Sequence, residues 1–455
     1  MNSGRKSPYF SVSVDPMLTV PRGAALYIGA LVGPGLLLVP ALAVEGAGPA
    51  SIIAWAALLV LSAPLAVTFA ALGVRRPVAG GVSAYVRDGL GDTAAALTGF
   101  WFLAAGVFGG PAVALIGGYY VADLTGSGTG SAVAVAFATY AVVFGANAFG
   151  LRLSSGFQLV LSAVLVGVVG VAVAVALPAR ATDNWAPFAP HGWWAVGTAA
   201  NILMWLFIGW EAMAQLAGEF RDPARQLPRA MTLAFAVITV LYAGLAVATI
   251  VTSAGGSRVP LADLMAVGFG GAGRDATAVL AVTLTMGTMN VYTGSVAKLA
   301  AALGVEGTLP RWIGGDAHRS IPRRPLLALG ALAAVFLGAL AFGFSSTSDL
   351  IRASSACFIV VYVFALASAV RLLRGRLRAA AALSLVLVCV VAVFSSAYLV
   401  VPAGAALVVL GVRLAGARRS GRRTRPSRAL PPRTPPAAAA RAVRTASLSG
   451  RLRDR

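Results

Sequence analysis

Apolar runs of bilayer length recur along the whole chain, parted by short polar segments. They lie at roughly 21–44, 49–72, 95–121, 131–149, 155–177, 195–218, 229–253, 275–300, 325–344, 350–370, 379–395 and 397–415. A helix rising about 1.5 Å per residue needs about 20 such residues to cross the hydrocarbon core. The pattern therefore predicts an all-α polytopic membrane protein of about 12 transmembrane helices. The last two runs are separated only by "FSSAY", Phe394 to Tyr398. The chain divides into an N-terminal arm (1–20), a transmembrane body (21–415) and a tail (416–455).

Two runs are interrupted where interruption is costly. The first carries "GALVGPGLLLVP", with Gly33, Pro34 and Gly35 in a row near its middle. The sixth carries "NILMWLFIGWEAMAQLAGEF", with Gly209 near its middle and Glu211 two residues on. Proline removes a backbone donor and glycine is a poor helix former. An unpaired backbone group in a bilayer costs several kcal/mol, so such breaks persist only when buried in protein or lining a wet cavity. Glu211 is the one acid deep within any predicted span, and a buried membrane carboxyl marks a functional site by default. Taken singly, Gly-Pro-Gly is equally compatible with a kink or close helix packing, and Glu211 with a silent pairing. Together they sit in the first and sixth spans. Transporters built from two inverted five-helix repeats break their helices at those corresponding positions. Half-helix N-termini would then meet an anionic group, and free carbonyls a cation. A zwitterion fits that arrangement, which makes the breaks the candidate substrate site.

Composition narrows the class. The 455 residues are 58% hydrophobic and 11% charged, against about 25% charged for soluble domains. The opening stretch "MNSGRKSPYFSVSVDP" lacks the apolar core of a cleavable signal peptide, so the first span is expected to be its own insertion signal. Of 36 Lys and Arg, all but Arg180, Arg258, Arg274 and Arg352 fall on one side if the N-terminus is cytoplasmic. Basic loops resist translocation, so both termini are expected inside, in the plasma membrane. From Arg413 on, 13 Arg stand against one acid, Asp454, with runs such as "PPRTPPAAAA". That tail is expected to be disordered, either a solvated extension or a contact for anionic lipids. Nucleic acid is not an expected partner.

Little conventional chemistry is present. Cys357 and Cys389 lie in apolar spans and read as small buried hydrophobes, not a disulfide framework. His191 and His318 are far apart in loops, without metal-ligand spacing, so neither metal nor cofactor is expected. No GxxxxGK[ST] occurs, which speaks against an ATP-driven pump.

At the two interruptions the chain resembles the amino acid–polyamine–organocation (APC) superfamily of transporters. "IGALVGPGLLLVP" (Ile28 to Pro40) is similar to that family's first-span pattern, and "RRPVAGGVSAYV" (Arg75 to Val86) to the stretch after its second span. "FIGWEAMAQLAGEFRDPARQLPRA" (Phe207 to Ala230) resembles the sixth-span signature, and "GVEGTLPRWIGG" (Gly304 to Gly315) the loop after the eighth. The resemblance covers nearly all of the chain except the tail. Within the superfamily, the Gly-x-Glu-Ala, "EFRDPARQLPRA" and Asn290 are most similar to bacterial exporters of L-methionine and branched-chain amino acids. The resemblance implies a 5+5 inverted repeat (roughly 21–177 and 195–370, discontinuous first and sixth helices) and two extra helices (379–415). It implies substrate carboxylate on the backbone N–H groups of Gly33, Gly35 and Leu36. The ammonium would meet carbonyls near Ala30 and Phe207, with Ile208, Gly209 and Trp210 around the pocket and Asn290 as further polar lining. Two departures stand out. Pro34 has no N–H where many relatives have one, and the fifth span lacks a lysine that some proton-coupled relatives carry. Glu211 is then the leading proton-coupling candidate.

The function expected is secondary active transport of neutral hydrophobic amino acids (Leu, Ile, Val, Met), outward and proton-coupled. An importer of the same fold for cationic amino acids or amines is the alternative. An intramembrane enzyme needs several positioned polar groups, and the spans offer one isolated carboxylate. A channel would need a ring of charges or a repeated filter motif, which is missing.

Overall fold

In the computed structural model, residues 18–75, 81–151, 155–178, 182–211, 217–252 and 254–423 are described. The N-terminal arm before Leu18, residues 76–80 of the second family motif, residues 212–216 after Glu211 and the tail beyond Arg423 lie outside them. The described residues are mostly helical, with no β-strand among them beyond one isolated bridge between Leu18 and Phe220. Eight helical segments among them are long and apolar enough to cross a membrane.

In chain order the helices are α1 (Val20–Leu31), α2 (Val39–Ala47), α3 (Ser51–Arg75), α4 (Gly81–Leu90), α5 (Asp92–Leu124), α6 (Thr129–Ala148) and α7 (Ser155–Ala176). After them come α8 (Trp194–Met204), α9 (Pro223–Val251), α10 (Pro260–Val305), α11 (Arg323–Ala341), α12 (Thr347–Leu372), α13 (Arg376–Val393) and α14 (Val400–Arg423). Most apolar runs became helices with ends shifted by a few residues. The run 21–44 did not form one helix: α1 stops at Leu31 and α2 starts at Val39, with a 3₁₀ turn at Pro34–Leu37 between them. The run 195–218 likewise stops being α-helical at Met204. The run 275–300 is the later part of α10, which extends back to Pro260 across Gly270, at φ 58°. Helix α4 was not foreseen, because its polar face keeps it from reading as an apolar run.

The ends follow local chemistry. Asp222 accepts the Arg225 N–H at 3.3 Å and Pro223 occupies the first turn, so "RDPARQ" starts α9. Ser346 and Asp349 form a reciprocal capping box at the start of α12.

Helix α5 sits at the centre, packed on α4, α6, α10 and α12. Arginine clamps fix both its ends. At the N-terminal end Arg87 reaches Asp92 at 3.2 Å and Glu306 at 3.3 Å. At the far end Arg274 of α10 pairs with Asp123 at 2.6 Å and with Asp263 at 2.8 Å. Peripheral helices turn apolar residues outward, as Leu383, Val386, Val390 and Val393 do on α13. This corrects one expectation. Cys357 is buried, but Cys389 is exposed, because α13 packs on one side only and presents the other outward.

Candidate functional site

Both breaks face one cavity of about 320 Å³. That volume lies at the small end of the roughly 300–1,000 Å³ range of small-ligand sites. The first break contributes Ala30, Leu31, Gly33, Pro34 and Gly35, and the second Trp205, Leu206, Ile208, Gly209 and Glu211. Helix α5 adds Phe102, Gly109, Gly110 and Val113, and α12 adds Phe358. From α10 come Thr288, Met289, Tyr292 and Thr293. The walls are mostly apolar, and among the described residues Glu211 is the one ionisable carboxyl in them.

At the first break, Val32 still donates to the Ile28 carbonyl at 2.7 Å. Gly33 is then extended, at φ −134° and ψ −173°. The chain turns through a 3₁₀ segment in which the Leu36 N–H reaches the Gly33 carbonyl at 3.1 Å. Leu38 donates to Gly35 at 3.2 Å, and α2 resumes. Among the described residues the N–H groups of Gly33 and Gly35 find no acceptor, and Pro34 has none to offer. A Cβ on Gly33 would meet nothing within 4 Å, whereas one on Gly35 would lie 2.6 Å from the Leu206 side chain and 3.3 Å from the Trp205 ring. Gly35 is therefore where the two breaks approach closely, and Gly33 borders open space.

At the second break the backbone leaves the helix at Ile208 (ψ 134°) and passes through Gly209 at φ 130°, a conformation that favours glycine. A Cβ there would lie 3.0 Å from the Ala30 carbonyl oxygen, so the first break closes against the second. Glu211 is buried and folds back on its own turn. Its Oε2 accepts the Gly209 N–H at 3.0 Å and the hydroxyl of Tyr362. The Tyr362 oxygen also accepts the Gly209 N–H, at 3.2 Å.

Tyrosines satisfy the orphaned carbonyls. Tyr242 of α9 directs one hydroxyl at both Leu31 and Leu206, each at 3.0 Å, and so ties the last carbonyl of α1 to the second break. Tyr120 of α5 donates to Leu37 at 2.8 Å. Tyr242 is held edge-on by Phe207 (5.2 Å between centroids) and Trp55 (5.5 Å), which also touch each other.

Of the residues singled out from sequence, Ala30, Gly33, Gly35, Ile208, Gly209 and Glu211 meet at the cavity. Leu36, Phe207, Trp210 and Asn290 lie off its lining. Leu36 is buried and its N–H is spent on Gly33. The Phe207 ring packs on Tyr242, and Trp210 is buried near Phe235. Asn290 donates to the Leu151 carbonyl at 3.2 Å, while its own carbonyl accepts from Asn147. The three tyrosines that carry the breaks were missed. Their signal in the sequence is a polar tip on a large ring inside an apolar span, which calls for a buried partner. Among the described residues no group of three His, Cys, Asp or Glu could hold a metal.

Chemically, the cavity offers two N–H donors on the first break, a carboxyl held by its own loop on the second, and apolar walls between. The amino acid permease family model matches residues 18–413. The chain is 32% identical to the uncharacterized amino acid permease YecA of Bacillus subtilis, over 78% of this chain and 85% of that one. It is 28% identical to the L-methionine/branched-chain amino acid exporter YjeH of Escherichia coli, over 79% and 87%. An uncharacterized transporter of Mycobacterium tuberculosis is 31% identical, over 86% and 89%.

Proposed function

The chain belongs to the amino acid permease family, and on that premise we propose that it carries neutral, hydrophobic amino acids outward across the plasma membrane by proton-coupled alternating access. The observation that carries this reading is the small cavity where two broken helices meet. The N–H groups of Gly33 and Gly35 suit an amino acid's carboxylate. The Ala30 carbonyl suits its ammonium, with Ile208, Gly209 and the aromatic walls around the side chain. Leu36, Phe207 and Trp210 act behind that surface by shaping the backbone. Apolar walls favour leucine, isoleucine, valine and methionine in steps of about 1–3 kcal/mol per methylene. The name of the Escherichia coli relative supports both the direction and these substrates.

The wider architecture proposed is a 5+5 inverted repeat, α1–α7 and α8–α12, followed by α13 and α14. Both termini face the cytoplasm, as does the Arg87–Asp92–Glu306 clamp. Glu211 carries the coupling proton, since no other carboxyl among the described residues lines the cavity.

The test is efflux of labelled leucine from cells with and without the protein, with a panel of competitors. Methionine, isoleucine and valine should compete, and amino acids with an esterified carboxyl should not. Arginine competing better than leucine would overturn the proposed selectivity.

A further inference from the structure

A second cavity, of about 230 Å³, lies between α5, α10 and α11. Every described residue lining it is apolar. Phe100, Ala104 and Phe108 form the α5 wall, Leu329 and Leu332 the α11 wall, and Ile313 closes one end. Helical spacing puts Phe100, Ala104 and Phe108 on the opposite side of α5 from Phe102, Gly109 and Val113 of the central cavity. The second cavity thus faces away from the transport site.

Its length fits within one leaflet. The lining runs about 12 Å along α5, from Phe100 to Phe108, and about 10 Å along α11, from Pro325 to Leu332. Half of a hydrocarbon core is about 15 Å. Leu327 and Val335 beside it on α11 are exposed, as for a lipid-facing surface.

The end nearest the α10–α11 connection is basic. Arg311, Arg319, Arg323 and Arg324 are all exposed. Arg311 is followed by the exposed Trp312 and by Ile313, and Arg324 directly precedes Pro325, which also lines the cavity. Two acids lie in this connection: Glu306, exposed and paired with Arg87 at 3.3 Å, and Asp316, which is buried. Its Oδ2 accepts the backbone N–H groups of Arg323 at 2.6 Å and Arg324 at 3.0 Å, so it caps α11. Arg324 gives one guanidinium N–H to the Trp312 carbonyl at 3.1 Å, which fixes the mouth and leaves its other donors available.

We propose that this cavity holds an acyl chain of an anionic phospholipid from the cytoplasmic leaflet, with the headgroup phosphate on Arg311 and Arg324. An apolar slot that fits within one leaflet, with exposed guanidinium groups and a tryptophan at its mouth, has the order of parts of such a lipid. The proposal rests on the membrane orientation given above and not on the identity of the transported amino acid.

The test uses the full chain purified in detergent, supplemented with phosphatidylglycerol or phosphatidylcholine, with retained lipid read by native mass spectrometry. The wild-type chain should retain phosphatidylglycerol preferentially. Arg311→Gln and Arg324→Gln should each lower that preference about fivefold, the equivalent of about 1 kcal/mol per basic group at a membrane surface. Ala104→Trp should fill the slot and abolish retention of either lipid, and Ala328→Leu, a smaller change on the α11 wall, should reduce it. Equal retention of the two lipids by the wild-type chain overturns the proposal. So does retention untouched by the double arginine substitution, or a dimer with no retained lipid. Leucine transport measured after reconstitution reads the central site separately. Its loss with lipid preference intact would count against the transport reading alone.

Discussion

The two breaks solve the same problem with different materials. The first, Val32 to Leu38, is nearly all backbone: no polar side chain stands in it, and two of its N–H groups are unsatisfied within the described protein. The second, Trp205 to Glu211, carries its own acid and uses it at once, because Glu211 and Tyr362 already engage the Gly209 N–H. The first break is therefore open to an outside acceptor, while the second is closed by an internal one. The proposed substrate carboxylate would meet unpaired donors at the first and would compete with a carboxylate at the second. The division of labour proposed above, recognition at the first break and a proton-carrying latch at the second, rests on this difference.

The largest expected effect breaks the junction between them. Gly35→Val would drive its side chain into Leu206 and Trp205. Overpacking of this kind costs about 1–3 kcal/mol. Transport should vanish, with a lowered melting temperature and the protein still in the membrane. Normal uptake and efflux in this variant would remove the site from the breaks.

Next comes the latch. Glu211→Gln keeps the size and can still accept from Gly209, but carries no transferable proton. Exchange of labelled leucine between equal pools should persist, while accumulation driven by a pH gradient should be lost. Gradient-driven transport left intact would take the proton role away from Glu211.

A smaller effect compares the tyrosines. Tyr242→Phe leaves the Leu31 and Leu206 carbonyls without their shared donor, and Tyr120→Phe leaves Leu37 alone. An orphaned buried group costs about 1–3 kcal/mol. The Tyr242 variant should be less stable than the Tyr120 variant in thermal unfolding, though by less than a factor of two, since one hydroxyl proton serves two carbonyls. Equal stabilities would mean that Tyr242 does not tie the breaks together.

The smallest effect on the fold separates binding from packing. Gly33→Ala adds a methyl group to open space, so melting temperature should stay unchanged. That methyl borders the proposed carboxylate site, so the KM for leucine should rise several-fold. An unchanged KM would argue that substrate does not sit against Gly33.

Much of this molecule is written in local order. Apolar runs of bilayer length, and the Gly-Pro-Gly and Gly-x-Glu that interrupt two of them, require only neighbouring residues to be read. Hydrophobicity and helix propensity are themselves local, and so the helical membrane body, the two breaks and Glu211 were legible in the chain. What tertiary structure decided is which atoms complete the breaks. Tyr120, Tyr242 and Tyr362 come from three other helices, between 36 and 211 residues from their acceptors. No spacing rule connects positions so far apart. Packing also decided which named residues face the cavity: Ile208 does, whereas its neighbours Phe207 and Trp210 turn into the core. Outside regular helix, side-chain direction has no fixed period, so the broken segment that made the site visible in sequence also hid its geometry.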